Sequence, residues 1–181
     1  IHTRRRRQRQ MCIRDRSSDG GQTWENIGLA EQRIATKIRI NPDNPEIMYV
    51  GTMGDPMQRD GNRGLYRTED GGQTWEQILF VADDAGIIDL VMHPENPDVL
   101  FAASWNRIRN TQESIVEGDD AKIWRTTDGG DTWEMLQNGL PQQDMCRIGL
   151  TISNEKVFAV YVNTNYELDN VYVSSDNGDS W

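Results

Sequence analysis

The sequence predicts an all-β protein, a partial β-propeller of four-stranded antiparallel blades, with about three and a half blades in its 181 residues. Three observations lead there. An octapeptide recurs four times, as SSDGGQTW from Ser17, TEDGGQTW from Thr68, TTDGGDTW from Thr126 and SSDNGDSW from Ser174, so that Asp19, Asp70, Asp128 and Asp176 stand 51, 58 and 48 residues apart. A second phrase, NPDNPEIMYVGT from Asn41, returns as HPENPDVLFAAS from His93 at an offset of 52, with SNEKVFAVYV from Ser153 as a shorter third copy. Between these phrases lie short apolar runs bounded by Asn, Asp, Pro and Gly, and no helical periodicity. A repeat near fifty residues made of short strands signals a blade array.

The first complete unit reads as strand A at 35–40, B at 47–52, C at 64–68 and D at 74–81. The next repeats it at 87–92, 99–104, 122–126 and 132–136. The box-ending units fall near 17–33, 34–81, 87–136 and 147–181, which together form one propeller segment over 17–181. Runs such as IIDLVM are almost wholly apolar, as expected of a sheet covered on both faces. The octapeptide spans the C–D hairpin. Its Asp is placed to accept backbone N–H bonds further along the turn, and its glycines supply positive φ. In the fourth copy Asn177 replaces the first Gly, as the non-glycine residue best suited to the left-handed region. The Trp is expected to open strand D as a buried apolar plug. The structural set is therefore Asp19, Gly21, Thr23 and Trp24; Asp70, Gly72, Thr74 and Trp75; Asp128, Gly130, Thr132 and Trp133; and Asp176, Gly178, Ser180 and Trp181.

Composition narrows the function classes. The formal net charge is −10, which argues against a nucleic-acid partner, since that needs a basic face. No apolar run is long enough to insert in a membrane as a helix. Residues 1–16, IHTRRRRQRQMCIRDR, hold seven arginines, and without them 12 basic and 28 acidic residues remain. This head resembles translated adapter sequence. The aromatic of LYR, IWR and VYV is missing from RDR before the first box, so the head is set aside as non-native. One cysteine, Cys146, is then left, too few for an internal disulfide.

The octapeptide resembles the Asp box, S/T-x-D-x-G-x-T-W, or BNR repeat, of sialidases, sortilin-type receptors, some glycoside hydrolases and photosystem assembly factors. The stretch GLYRTEDGGQTWEQILFVADDAGIIDLVMHPENPDVLFAASW is similar to secreted bacterial proteins with sortilin-like (VPS10-type) propellers, often labelled glycosyl hydrolases. The resemblance covers residues 17–181. It implies that the boxes are structural and lie away from the ligand face, and that the protein is secreted or in the cell envelope. Both ends then look truncated, and the remaining blades of the same polypeptide become partners.

Function is sought on the opposite rim, where the B–C and D–A loops gather: 53–63, 81–86, 105–121, 137–145 and 163–170. The longest loop offers Trp105, Arg107, Arg109 and Glu113. Trp with two Arg suits a sugar or a carboxylate; equally, Trp105 covers a blade edge while the arginines pair with neighbouring acids. Asp83 and Asp84 end a D–A loop, as ligand carboxylates or as turn caps. Lys37, Asp89 and Gly149 align near the top of strand A and line the central channel or are merely solvated there. His93 reads as a turn residue in the place of Asn41. No P-loop, zinc spacing or Ser–His–Asp order is present, and no cofactor or metal is expected. The expectation is a binding module that holds a peptide, protein or glycan. The alternative is a glycoside hydrolase of sialidase or xyloglucanase type that uses paired carboxylates, whose positions the sequence leaves open.

Overall fold

The computed structural model describes residues 15–181; residues 1–14 of the head lie outside the described residues. Four units follow one another. The first is a ribbon of β1 (Asp15–Arg16) and β2 (Glu25–Asn26), joined across the first box and followed by a short 3-10 turn, Ala30–Gln32. The second is a four-stranded antiparallel blade of β3 (Ile34–Ile40), β4 (Met48–Gly54), β5 (Gly64–Thr68) and β6 (Glu76–Leu79), paired in chain order. The third runs β7 (Ala85–Met92) and β8 (Leu100–Asn106), then β9 (Ile108–Arg109) and β10 (Ser114–Ile115), and closes with β11 (Ile123–Thr126) and β12 (Glu134–Leu136). Its sheet order is β7-β8-β11-β12, with β9 and β10 forming a separate ribbon inside the B–C loop. The fourth has β13 (Ile148–Ser153), β14 (Lys156–Val162) and β15 (Leu168–Ser174). The chain is thus a partial β-propeller, and the expected strands appear within about two residues of their ends. The ribbon within 105–121 was not expected from sequence.

Alternation builds the core. In β8, Leu100 and Ala102 pack toward the second blade, with Tyr49, Leu65, Leu79, Ile87 and Leu90. Phe101 and Ala103 face the other way and meet Ile148, Leu150, Val157, Ala159 and Tyr161 of the fourth. Both faces of β8 are buried, which is why its sequence loses the usual polar alternation. A smaller cluster of Leu29, Val50 and Tyr66 joins the first unit to the second. The outer faces of the arc are apolar but open: Ile34, Ile38 and Ile40 on β3, and Val160, Leu168, Val171 and Val173 on the fourth blade, are exposed.

The box glycines show why the turn needs them. Gly72, Gly130 and Gly178 have φ of 98°, 101° and 92°, values that favour glycine. A Cβ on them would come within 2.6 Å of Ile27, 2.6 Å of Ile78 and 2.9 Å of Phe101. The last three boxes therefore seat this glycine against the preceding unit. Asn177 adopts φ 54° where the other boxes use glycine.

The tryptophans correct one expectation. None is a fully buried plug, and β2, β6 and β12 each begin one residue after the Trp. Trp75 leans back toward the first unit and donates its Nε1–H to the Ile27 carbonyl at 2.7 Å. Trp133 packs against the cluster shared with Tyr49, Leu65 and Leu79 of the second blade, but its Nε1–H goes to the Gly130 carbonyl of its own box at 3.1 Å. Trp24, with no described blade behind it, is 64% exposed.

Candidate functional site

Within each box the side chains consume one another. The Asp70 carboxylate accepts the Thr74 N–H at 2.9 Å and the Thr74 hydroxyl at 2.6 Å. It also accepts the Thr68 hydroxyl at 2.8 Å, while Thr68 Oγ1 accepts the Gly72 N–H at 2.9 Å. Asp19, Asp128 and Asp176 make the same bonds in their own turns. The hydroxyl bond from Thr74, with its N–H and Thr68 in support, holds Asp70 down to about 2. Asp19 and Asp176 are likewise held at about 2, chiefly by Thr23 and Ser180, and Asp128 is lowered chiefly by Thr126. Carboxylates so fully engaged are turn fasteners. The A–B turns brace them: Gly71 and Gly129 donate N–H to the Glu46 and Asp98 carbonyls, both at 2.9 Å. His93 shares this turn role, accepting the Glu95 N–H at Nδ1 much as Asn41 accepts that of Asp43.

A second fastener escaped the sequence reading. The arginines just before the second and third boxes cross to the third and fourth boxes. Arg67 reaches the Gly129 carbonyl at 3.0 Å and Asp131 at 2.7 Å. Arg125 reaches the Asn177 carbonyl and, at 2.7 Å, Asp179. Arg16 stands in register with them and bonds the Gly71 carbonyl at 3.2 Å. Because the second box has Gln73 where the later ones have an acid, Arg16 pairs instead with Glu46 at 2.7 Å. An open polar groove of about 680 Å³ lies on this side between the first two boxes, lined by Arg16, Glu46, Asp70 and Gln73 among others.

On the opposite rim the B–C loops of two blades interlock. Arg63 is fully buried and, among the described residues, has no carboxylate partner; its guanidinium donates to the backbone carbonyls of Asp55 at 2.7 Å, Gln58 at 3.0 Å and Asp84 at 3.4 Å. Burial pulls its pKa below the ordinary arginine value. The loop wrapped around it carries Arg59, which gathers three expected site residues: Glu113 at 2.9 Å, Asp84 at 3.5 Å and Asp83 at 3.6 Å. The Arg59 hydrogen bond holds Glu113 below its usual range. Asp84 also accepts the Asn106 amide at 3.0 Å. Sequence reasoning named the three acids but neither arginine, because a single Arg in a loop has no period to mark it.

Trp105 is half-buried against the core and donates its Nε1–H to the Val116 carbonyl at 2.7 Å. The Arg107 guanidinium lies over its ring, 5.5 Å from the centroid. Among the described residues neither Arg107 nor Arg109 forms the ion pair offered as the alternative reading, while Glu113 of the same loop pairs with Arg59. Near the axis, Lys37 and Asp89 meet at 3.4 Å, and Asp89 accepts the Leu150 N–H at 3.0 Å, one residue from Gly149. The aligned triplet therefore stitches the innermost strands of three blades together. Among the described residues no cluster of three or more His, Cys, Asp or Glu is arranged to hold a metal, and no helix is long and apolar enough to cross a membrane.

Blades fastened by Asp boxes on one rim, with long interlocked loops on the other, define an Asp-box propeller. The chain belongs to the Sortilin-Vps10 family (sortilin, neurotensin receptor 3), whose sequence profile matches residues 15–167. Among curated proteins it is 27% identical over 166 residues to the xyloglucanase Xgh74A of Acetivibrio thermocellus, covering 82% of this chain and 19% of that protein. It is 26% identical over 154 residues to the vacuolar protein sorting/targeting protein PEP1 of Saccharomyces cerevisiae, covering 75% of this chain and 9% of that protein. The crystal structure of an ancestral GH74 enzyme superposes with a TM-score of 0.69 at 18% identity, over 92% of this chain and 20% of that one. The GH74 enzyme of Niastella koreensis gives a TM-score of 0.54 at 17% identity, over 88% and 23%. These superpositions show the fold. The chain spans about a fifth or less of the length of the curated relatives it matches.

Proposed function

We propose that residues 17–181 form part of a binding propeller of a secreted or cell-envelope protein, holding a peptide, protein or glycan on the rim opposite the Asp boxes. One observation carries this reading: the rim carboxylates Asp83, Asp84 and Glu113 share a single guanidinium, Arg59, while Arg107 and Arg109 pair with no acid among the described residues. A glycosidase needs one carboxylic acid kept protonated and a second carboxylate facing it across the substrate. Arg59 pushes Glu113 the other way. Kinship to sorting receptors favours binding, and kinship to xyloglucanases supports the rival reading, in which a carboxylate outside these residues completes a catalytic pair.

The test uses the full-length protein and xyloglucan. Release of reducing ends is measured for the wild type and for Asp83→Asn, Asp84→Asn and Glu113→Gln. Equal turnover in all four, or none in any, supports the binding reading for this rim. A hundredfold or greater loss in any one variant that retains its thermal midpoint would overturn it.

A further inference from the structure

We infer that the Arg107–Arg109 face takes an acidic peptide segment in extended conformation; this rests on the rim-binding reading above and names its ligand class. Ile108 is fully buried, and successive side chains of an extended strand point to opposite sides. Arg107 and Arg109 therefore share the outward side. Their backbone is fixed: the Arg107 N–H bonds the Asp84 carbonyl at 2.7 Å, and the Arg109 N–H bonds the Pro56 carbonyl at 2.7 Å. The Asn110 amide holds the Met57 carbonyl at 2.9 Å. The two guanidinia thus stand on a ribbon tied to both neighbouring loops, and such preorganisation lowers the ordering cost of binding.

Neither guanidinium is neutralised by a carboxylate among the described residues, and they are the two such arginines that stand side by side on this rim. Arg16, Arg33, Arg59, Arg67 and Arg125 each meet a carboxylate. Arg107 makes one long bond, 3.4 Å to the Ile115 carbonyl, and lies flat on Trp105. The Arg109 side chain is exposed, with no hydrogen-bond partner among the described residues. Four acids of the adjoining loops are already engaged: Arg59 holds Asp83, Asp84 and Glu113, and Asp120 accepts the Asn106 amide at 3.1 Å.

The surroundings favour a peptide over a glycan. A sugar ring would want a free aromatic face, but the Trp105 indole is covered by Arg107, bonded to Val116 and packed on the core. What is exposed instead is Met57, at 54%, an adaptable apolar contact for a peptide side chain. Residues two apart on a strand lie about 6.5–7 Å apart. Two arginines at that spacing match two carboxylates at the same spacing on an extended peptide, each able to accept a paired guanidinium bond.

The experiment uses the full-length protein and two fluorescein-labelled peptides that differ only in a Glu-Leu-Glu or Gln-Leu-Gln core, read by anisotropy at 50 and 150 mM NaCl. The Glu peptide is expected to bind at least tenfold more tightly than the Gln peptide, with the advantage shrinking at the higher salt. Arg107→Gln/Arg109→Gln is expected to lose at least tenfold, and Arg109→Gln alone, which breaks no internal side-chain contact, at least threefold. Equal binding of the two peptides, no binding of either, or full binding by both variants overturns the inference. If a xyloglucan or oligogalacturonate fragment binds instead and is lost in Arg109→Gln, the acidic-peptide inference fails while the rim-binding reading stands. If a ligand binds and every variant leaves it unchanged, both fail here.

Discussion

Replacing Thr126 by valine tests whether the box is held by its hydroxyl or merely by its shape. Thr126 is buried, and its Oγ1 accepts the Gly130 N–H at 2.9 Å and donates to Asp128 at 2.6 Å. Valine fills nearly the same volume, so the packing change is small. The exposed Asp128 carboxylate turns to water and contributes little to the cost. The buried Gly130 N–H has no such recourse, and an orphaned buried donor costs about 1–3 kcal/mol. A central value of about 2 kcal/mol corresponds to about a 30-fold rise in the opening equilibrium of the turn. Native-state hydrogen exchange of the Gly130 and Thr132 amides in the full-length protein reads that equilibrium directly. Thr126→Ser is the control, because Ser17 and Ser174 already serve in the first and fourth boxes. It keeps the hydroxyl and loses only a methyl, about 1 kcal/mol. If valine and serine accelerate exchange alike, or valine changes it less than threefold, the hydroxyl is not the fastener.

The box aspartates predict an acid limb of stability. Asp19, Asp70 and Asp176 sit near 2 when folded, below the roughly 3.9 of an unfolded Asp. Their stabilisation is therefore fully present above about pH 4 and is lost as pH falls toward about 2. Thermal midpoints between pH 6 and 2 should drop less steeply in Asp70→Asn than in the wild type, and parallel curves would contradict the assignment. Arg125→Gln should speed exchange across 174–181 and leave β3–β6 unaffected; with Glu134 and Asp179 both solvent-facing, the loss is about 1–2 kcal/mol, and unchanged exchange would show the crossing arginine to be dispensable.

What the sequence made legible was whatever repeats. The octapeptide and the NPDNP phrase recur at blade spacing, so strand count, pairing order and the inward use of Asp70 or Asp128 followed from local chemistry. The alignment of Lys37, Asp89 and Gly149 was visible for the same reason, though its meaning was not. Asp89 reads as a channel-lining acid until the Leu150 N–H is seen on it. The tryptophans were misjudged because their packing partners belong to the preceding unit: Ile27 for Trp75, and the cluster holding Tyr49, Leu65 and Leu79 for Trp133. Arg59 and Arg63 stayed hidden because their partners are backbone carbonyls and acids brought near only by the closure of two blades.

The strand-ending arginine shows how far a single position governs the junction between blades. Arg16, Arg67 and Arg125 each span to a carbonyl of the following box, and the side chain next to that carbonyl varies to suit: Asp131 and Asp179 supply an acid, while Gln73 leaves the task to Glu46. The corresponding residue of the fourth blade is Val173, which is exposed together with Val160 and Val171. Valine has no donor to reach a carbonyl, so this position of the fourth blade offers apolar surface where the other three offer a guanidinium. Directional bonds of this kind fix register at the three junctions between the four described units, alongside the non-directional burial of their apolar faces. The Arg67 latch and the Arg59–Glu113 pair span the same junction, between the second and third blades, from opposite rims, so the register fixed at the boxes also sets the spacing of the loops that carry Arg107 and Arg109.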